Sequence, residues 1–281
     1  MDDDVEVLQG GVGNAGAVVR AGGHVLRPLS PHAEGIHALL AHLRATGFDA
    51  VPEVVGFEAA TGSVRRERLV FIPGDVPVPP FPAWSTTDAV LASVAALLRR
   101  FHDAARSFTP PPGATWSDEL ADPSPGDAPV WCHNDVCPEN AVFREGVAIA
   151  LLDFEFAAPG RRVWDLAALA MMCIPLDAPD DAARTGRGHL DPVRRLRVVA
   201  DAYGLDRAQR RELLDVLDER LANGGAFVRR RVEAGEGAFI DMWEAMGGQA
   251  RYDRRRDWFA AHRTTFATAL LASEPPTASV P

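Results

Sequence analysis

Trp131-Cys132-His133-Asn134-Asp135-Val136-Cys137-Pro138-Glu139-Asn140, followed thirteen residues later by Asp153-Phe154-Glu155, is the stretch on which the reading of this 281-residue chain turns. Its first part has the spacing H-x-D-x-x-x-x-N, and a Glu145-Gly146 turn and the apolar run Ile149-Ala150-Leu151-Leu152 precede Asp153. A tight loop after a strand can aim Asp135 into a cleft and return Asn140 to the same place five residues later. A short hairpin then brings Asp153 alongside. One carboxylate beside an acceptor hydroxyl, with two oxygen ligands for a hard divalent cation, is the set that phosphoryl transfer from a nucleoside triphosphate needs.

Toward the N-terminus, Gly11-Val12-Gly13-Asn14-Ala15-Gly16-Ala17-Val18 matches G-x-G-x-x-G-x-V. In a dinucleotide-binding fold the last glycine opens a helix. Here the β-prone pairs Val18-Val19 and Val25-Leu26 follow, flanking a Gly22-Gly23 turn, so the glycines read as a strand-loop-strand flap over phosphates. Ile36, Leu39, Leu40 and Leu43 fall at helical spacing with a stop at Gly47, which predicts a one-faced helix lying on the sheet. Val51 to Phe57 and Leu69 to Ile72 supply further strands, and the proline-rich stretch Gly74 to Pro82 ends the sheet-rich part.

Beyond it, helices are expected at about 86–107, 163–174, 189–203, 207–223 and 250–272, with a β segment around 141–153. The predicted class is α+β, a small antiparallel-sheet lobe in residues 1–73 and a larger, mostly helical lobe in 74–281.

Composition narrows the chemistry. A net charge of −10 argues against a nucleic-acid partner and is compatible with a cationic one. The three cysteines, Cys132, Cys137 and Cys173, are an odd number unsuited to a disulfide framework, and with His133 they lack the fourth ligand that structural zinc wants. All 29 basic residues are arginine, which excludes a Walker A loop and Schiff-base chemistry, both of which need lysine. No apolar run is long enough for a membrane span and the acidic start is unlike a signal peptide, so the expected location is the cytoplasm.

The joint order of glycine loop, His133-Asn134-Asp135, Pro138-Glu139-Asn140, Asp153-Phe154-Glu155 and Trp164-Asp165-Leu166-Ala167 resembles the aminoglycoside phosphotransferase group, small-molecule kinases of protein-kinase-like fold. The match runs from the glycine loop to about residue 175. It implies Asp135 as catalytic base or acceptor-orienting group, His133 as a loop-orienting residue, Asn140 and Asp153 as Mg2+ ligands, and Asp165 as the holder of the catalytic loop. Gly11, Gly13, Asn14 and Gly16 would cover the phosphates of ATP or GTP, and Phe71 and Ile72 would meet the base.

Where the resemblance implies a phosphate-binding lysine the chain has Arg27. The helix glutamate that would pair with it falls near Ile36, with Glu34 or His37 the nearest substitute, and Pro73 lacks an N–H for the base. Acidic residues around the acceptor, Glu155, Glu233, Glu236, Asp241, Glu244 and Asp253, with Asp241 and Glu244 one helical turn apart, suggest a cationic antibiotic such as an aminoglycoside or a basic cyclic peptide. Two alternatives stand beside this resistance kinase: a kinase of choline, a sugar or homoserine, and a nucleotide-binding pseudokinase that regulates a partner.

Overall fold

The computed structural model describes residues 5–8, 16–61 and 64–272. Five antiparallel strands, β1 (Val5–Val7), β2 (Val19–Ala21), β3 (His24–Pro28), β4 (Val54–Thr61) and β5 (Val64–Val70), form one sheet in the order β1-β2-β3-β5-β4. Gly11, Gly13 and Asn14 lie outside the described residues, but the segment that carries them joins two antiparallel neighbours, β1 and β2, rather than a strand and a helix. β5 starts at Val64, earlier than the sequence suggests. Its first half, Arg65-Arg66-Glu67-Arg68, is charged and shows no apolar alternation, and pairing with β3 is what makes it a strand.

Helix α1 (Ala33–Ala45) buries Ile36, Leu39, Leu40 and Leu43 and ends at Gly47, whose φ of 86° suits the left-handed stop. It does not simply lie on the sheet. Its apolar face enters one hydrophobic cluster with Phe48, Phe101, Trp164 and Leu217, so the core runs unbroken past residue 73.

The helical part comprises α2 (Asp88–Ala104), α3 (Arg162–Cys173), α4 (Pro179–Arg184), α5 (Pro192–Tyr203), α6 (Arg207–Glu233), α7 (Gly237–Met246) and α8 (Gly248–Leu271). α2 packs on α5, α3 on α6, and α8 closes over α6 and α5. α6 does not stop at Asn223-Gly224-Gly225 as glycine punctuation suggests. A Cβ on Gly224 would sit 2.9 Å from Met171 Sδ and one on Gly225 3.1 Å from the Tyr252 ring, so these glycines let neighbouring side chains approach the helix closely. Among the described residues no helix is long and apolar enough to cross a membrane.

Two small ribbons carry the loops of interest. β6 (Val130–Cys132) pairs with β9 (Ala158–Gly160), and β7 (Ala141–Arg144) pairs with β8 (Val147–Leu151) around the positive-φ residues Glu145 and Gly146. The segment after β5 is stitched to this hairpin, since Asp75 and Phe143 exchange both main-chain hydrogen bonds at 2.8 Å. Gly74 makes that approach possible: its φ is 159°, and a Cβ there would lie 2.5 Å from the Phe143 carbonyl oxygen.

Candidate active site

The loop between β6 and β7 is held from below by one buried carboxylate. Asp165, in the first turn of α3, accepts the main-chain N–H of His133 and of Asn134, each at 2.6 Å, and the Nε2–H of His102 at 3.0 Å. Burial opposes its charge, yet the His102 hydrogen bond and the two N–H donors hold it below the ordinary carboxylate range. His102 is neutral, its pKa lowered by burial. Its Nδ1 accepts from the Tyr203 hydroxyl at 2.7 Å, and that hydroxyl in turn accepts from Arg162 at 3.2 Å.

With its N–H taken, Asn134 adopts a φ of 68° and donates its side-chain amide to Phe156 O at 2.8 Å. His133 Nε2 donates to Leu152 O at 2.6 Å, which leaves Nδ1 to accept the Asp135 N–H at 3.3 Å. One ring therefore ties the loop to the chain just after β8, next to Asp153.

Asn140 donates its amide group to both Asp135 O, at 2.9 Å, and Asp135 Oδ2, at 2.8 Å. This orients the carboxylate and turns the amide oxygen the other way. Burial, with a contribution from Asp153, pushes the Asp135 carboxyl above its ordinary range. Asp153 sits in the left-handed region at φ 60°, and its Oδ1 accepts from Arg27 at 2.7 Å.

Arg27 also donates to Glu67, its cross-strand partner on β5, and Glu67 bonds His37 from α1. The anion that sequence reading sought on the helix is thus supplied by the sheet. Ile36 is buried core, while His37 reaches Arg27 through Glu67. Burial opposes the charge of Arg27, but Asp153 and Glu67 outweigh it and hold the guanidinium well above its ordinary value.

Removing this clamp has a defined outcome. Arg27→Ala should raise the nucleotide KM and lower kcat together, about tenfold or more in kcat/KM, because a charged pair to a partly buried carboxylate is lost. Steady-state kinetics over a nucleotide titration checks it, and unchanged constants would make Arg27 a structural salt bridge only.

Two cavities meet here. One, of about 620 Å3, lies under the sheet and is lined by Val25, Arg27, Leu69, Phe71, Ile72 and Asp153 among others. The second, of about 410 Å3, lies between the loop and helices α3, α6, α7 and α8, and is lined by Asp135, Glu155, Phe156 and residues of those helices. Glu139, Asn140 and Asp153 line both, so they stand at the junction.

Of the sequence-chosen residues, Asp135, His133, Asn140, Asp153, Arg27, Phe71, Ile72 and Glu155 are brought together, and Gly16 lies exposed at the end of the undescribed loop segment. Asp241 and Glu244 are exposed on α7 and do not line the second cavity, whose α7 wall is Phe239, Met242 and Met246.

Reading by motif missed Glu67 and Arg220. Arg220 is buried in α6, donates to Asn134 O at 2.6 Å, and lies over Trp164. Burial pushes its pKa down to about 10. Its signal, a lone arginine among apolar helix positions such as Leu217 and Leu221, is present but unspecific. The buried group His102, Cys132 and Asp165 has its ligand atoms within 4.8 Å of one another, but both His102 nitrogens are committed and burial keeps the Cys132 thiol protonated.

A model of the phosphotransferase enzyme family matches residues 114–213. The chain is 33% identical over 271 residues, 96% of its own length and 100% of the relative's, to the trifolitoxin immunity protein of Rhizobium leguminosarum bv. trifolii. In backbone it is similar to aminoglycoside 2′-phosphotransferase-IIIa in its GDP complex, with a TM-score of 0.61, 14% identity, and 93% and 94% of the two chains covered. It is also similar to a macrolide 2′-phosphotransferase of Brachybacterium faecium, with a TM-score of 0.53, 16% identity, and 96% and 93% covered. The fold is therefore the two-lobed α+β kinase-like one that the motifs imply.

Proposed function

The chain belongs to the phosphotransferase enzyme family, and from that premise we propose that it transfers the γ-phosphoryl group of ATP or GTP to a hydroxyl of a small molecule, with Mg2+, as a resistance enzyme. The observation that carries this reading is the junction: Asn140 and Asp153 face both cavities, with Arg27 on one side and Asp135 on the other. A nucleotide under the sheet and an acceptor among the helices would meet there.

Asp135 would take or orient the acceptor hydroxyl proton while the acceptor oxygen bonds to the γ-phosphorus and the nucleoside diphosphate leaves. Arg27, fixed on Glu67 and Asp153, would face the phosphates. The residues present fit a hard cation. Asn140 spends its amide N–H groups on Asp135, so its Oδ1 and the free oxygen of Asp153 form an all-oxygen donor pair. When bound, Mg2+ supplies charge neutralisation at the phosphates.

The resistance role rests on the relative's name, an immunity protein, and on structural neighbours named for antibiotics. Of the acidic residues expected around a cationic acceptor, Glu155 and Glu236 line the cavity, while Asp241 and Glu244 are exposed on α7 and do not.

Nucleotide consumption should depend on acceptor and on Mg2+, fall to background when EDTA is in excess, and return on adding Mg2+. Mass spectrometry of the acceptor checks for one added phosphate. Nucleotide binding that ignores Mg2+ and never yields a phosphorylated product would instead favour the pseudokinase.

A further inference from the structure

We infer that the second cavity takes a hydroxyl compound with an uncharged, largely apolar body, rather than a polycation, with the hydroxyl at the Asp135 end; this rests on the phosphotransferase reading for the name acceptor, though the ligand class is read from the cavity itself. All four methionines among the described residues, Met171 and Met172 on α3 and Met242 and Met246 on α7, line this one cavity. Phe227 and Phe239 stand beside them in an edge-to-face contact of 5.8 Å. Thioether side chains are apolar, polarisable and flexible, so such a wall moulds itself to an apolar surface and offers ammonium groups no anionic partner, while the Phe227 and Phe239 faces that could attract a cation already carry Arg231.

The glycines of α6 belong to the same construction. Met171 lies over Gly224 because no Cβ stands in its way, which seats the thioether in the cavity wall.

Charge placement points in the same direction. On the wall away from the transfer end, the carboxylate among the described lining residues is Glu236, which already bonds Arg231 at 2.9 Å. Arg231 is held again by Glu119 at 2.8 Å, and Arg255 is spent on the Met171 carbonyl and on Asp177. The other cavity carboxylates, Asp135, Glu139, Asp153 and Glu155, come from the β6–β7 loop and the turn after β8, at the transfer end of the cavity and not along its helical wall. Asp241 and Glu244, which a polycation would need, lie on the outer face of α7.

Methionine methyl NMR tests this directly, because the cavity holds four of the five methionines in the chain. In protein labelled with [13C-methyl]methionine and assigned through single Met→Leu variants, octyl β-D-glucoside below its micelle concentration should shift the Met171, Met172, Met242 and Met246 signals. Methyl β-D-glucoside, with the same sugar and no tail, and kanamycin should leave them in place. A second arm adds a carboxylate. Met242→Glu should weaken octyl glucoside binding by about tenfold or more, since a charge now faces the tail, while Met242→Leu should not, with thermal unfolding as the control for folding.

Cavity methyls that ignore octyl glucoside into the millimolar range, or that respond to kanamycin as strongly, would overturn the inference, as would tighter binding of kanamycin by Met242→Glu. These shifts require no turnover. Shifts as expected with no phosphorylated acceptor from any hydroxyl compound would refute the phosphotransferase reading and leave the ligand class of the cavity standing.

Discussion

Asp135→Asn is expected to lower kcat by about 10²–10⁴-fold, the range lost when a positioned general base is removed. The amide keeps the shape of the carboxylate, so the loss reports its charge and basicity. The wild-type pH profile gives the companion result. A base must be ionised to act, and burial together with Asp153 raises the pKa of Asp135, so kcat/KM should climb with pH along a limb that lies above the ordinary aspartate range. That limb should be missing from Asp135→Asn, measured from pH 5 upward on one acceptor. Wild-type turnover in the variant would remove Asp135 from the chemistry.

The largest structural effect is expected from Asp165→Ala, which leaves the N–H groups of His133 and Asn134 and the Nε2–H of His102 without their acceptor, all of them buried. Each orphaned donor costs about 1–3 kcal/mol, so the three together are comparable with the whole stability of many domains. Urea unfolding at pH 7 measures it, and a loss below about 1 kcal/mol would show that water or His102 rotation replaces the carboxylate.

The pH dependence has a definite sign for each partner. Asp165 is depressed in the fold, so its contribution is complete above the unfolded value of about 3.9 and fades as pH falls through the folded one. His102 is depressed by burial, so below about 6.5 the unfolded chain takes up a proton that the fold refuses, and stability starts to fall there first.

The parts of the site that were legible in the sequence share one property: their partners are close in the chain. Asp135 and Asn140 sit on one loop, and the hairpin from Ala141 to Leu151 delivers Asp153, so spacing alone places all three. Glu67 was not legible. It meets Arg27 across the β3–β5 ladder, forty residues away, and the charged run that contains it looks like a surface segment until the register is known. Arg220 reaches Asn134 over eighty-six residues for the same reason.

The acceptor wall failed differently. Asp241 and Glu244 do share a helix face, as their spacing says, but periodicity cannot tell which face looks inward, and here it is the one with Phe239, Met242 and Met246. Periodicity ends α6 near residue 223 because the reason for Gly224 and Gly225, room for Met171 and Tyr252, belongs to other helices.

The bridge between Asp75 and Phe143 also limits how the chain can change length. Because both main-chain bonds of that bridge must form at once, and Gly74 admits no side chain beside the Phe143 carbonyl, an insertion or deletion between Phe71 and Asp75 would slide the connecting segment out of step with the hairpin that bears Asn140. Val76 and Val78 then line the cavity under the sheet and Pro77 is buried, whereas the exposed Pro79 and Pro80 belong to no strand and can take up extra chain without moving that hairpin. Grafts and permutations of this scaffold therefore have a tolerant seam at Pro79-Pro80 and an intolerant stretch from Phe71 to Val78 just before it.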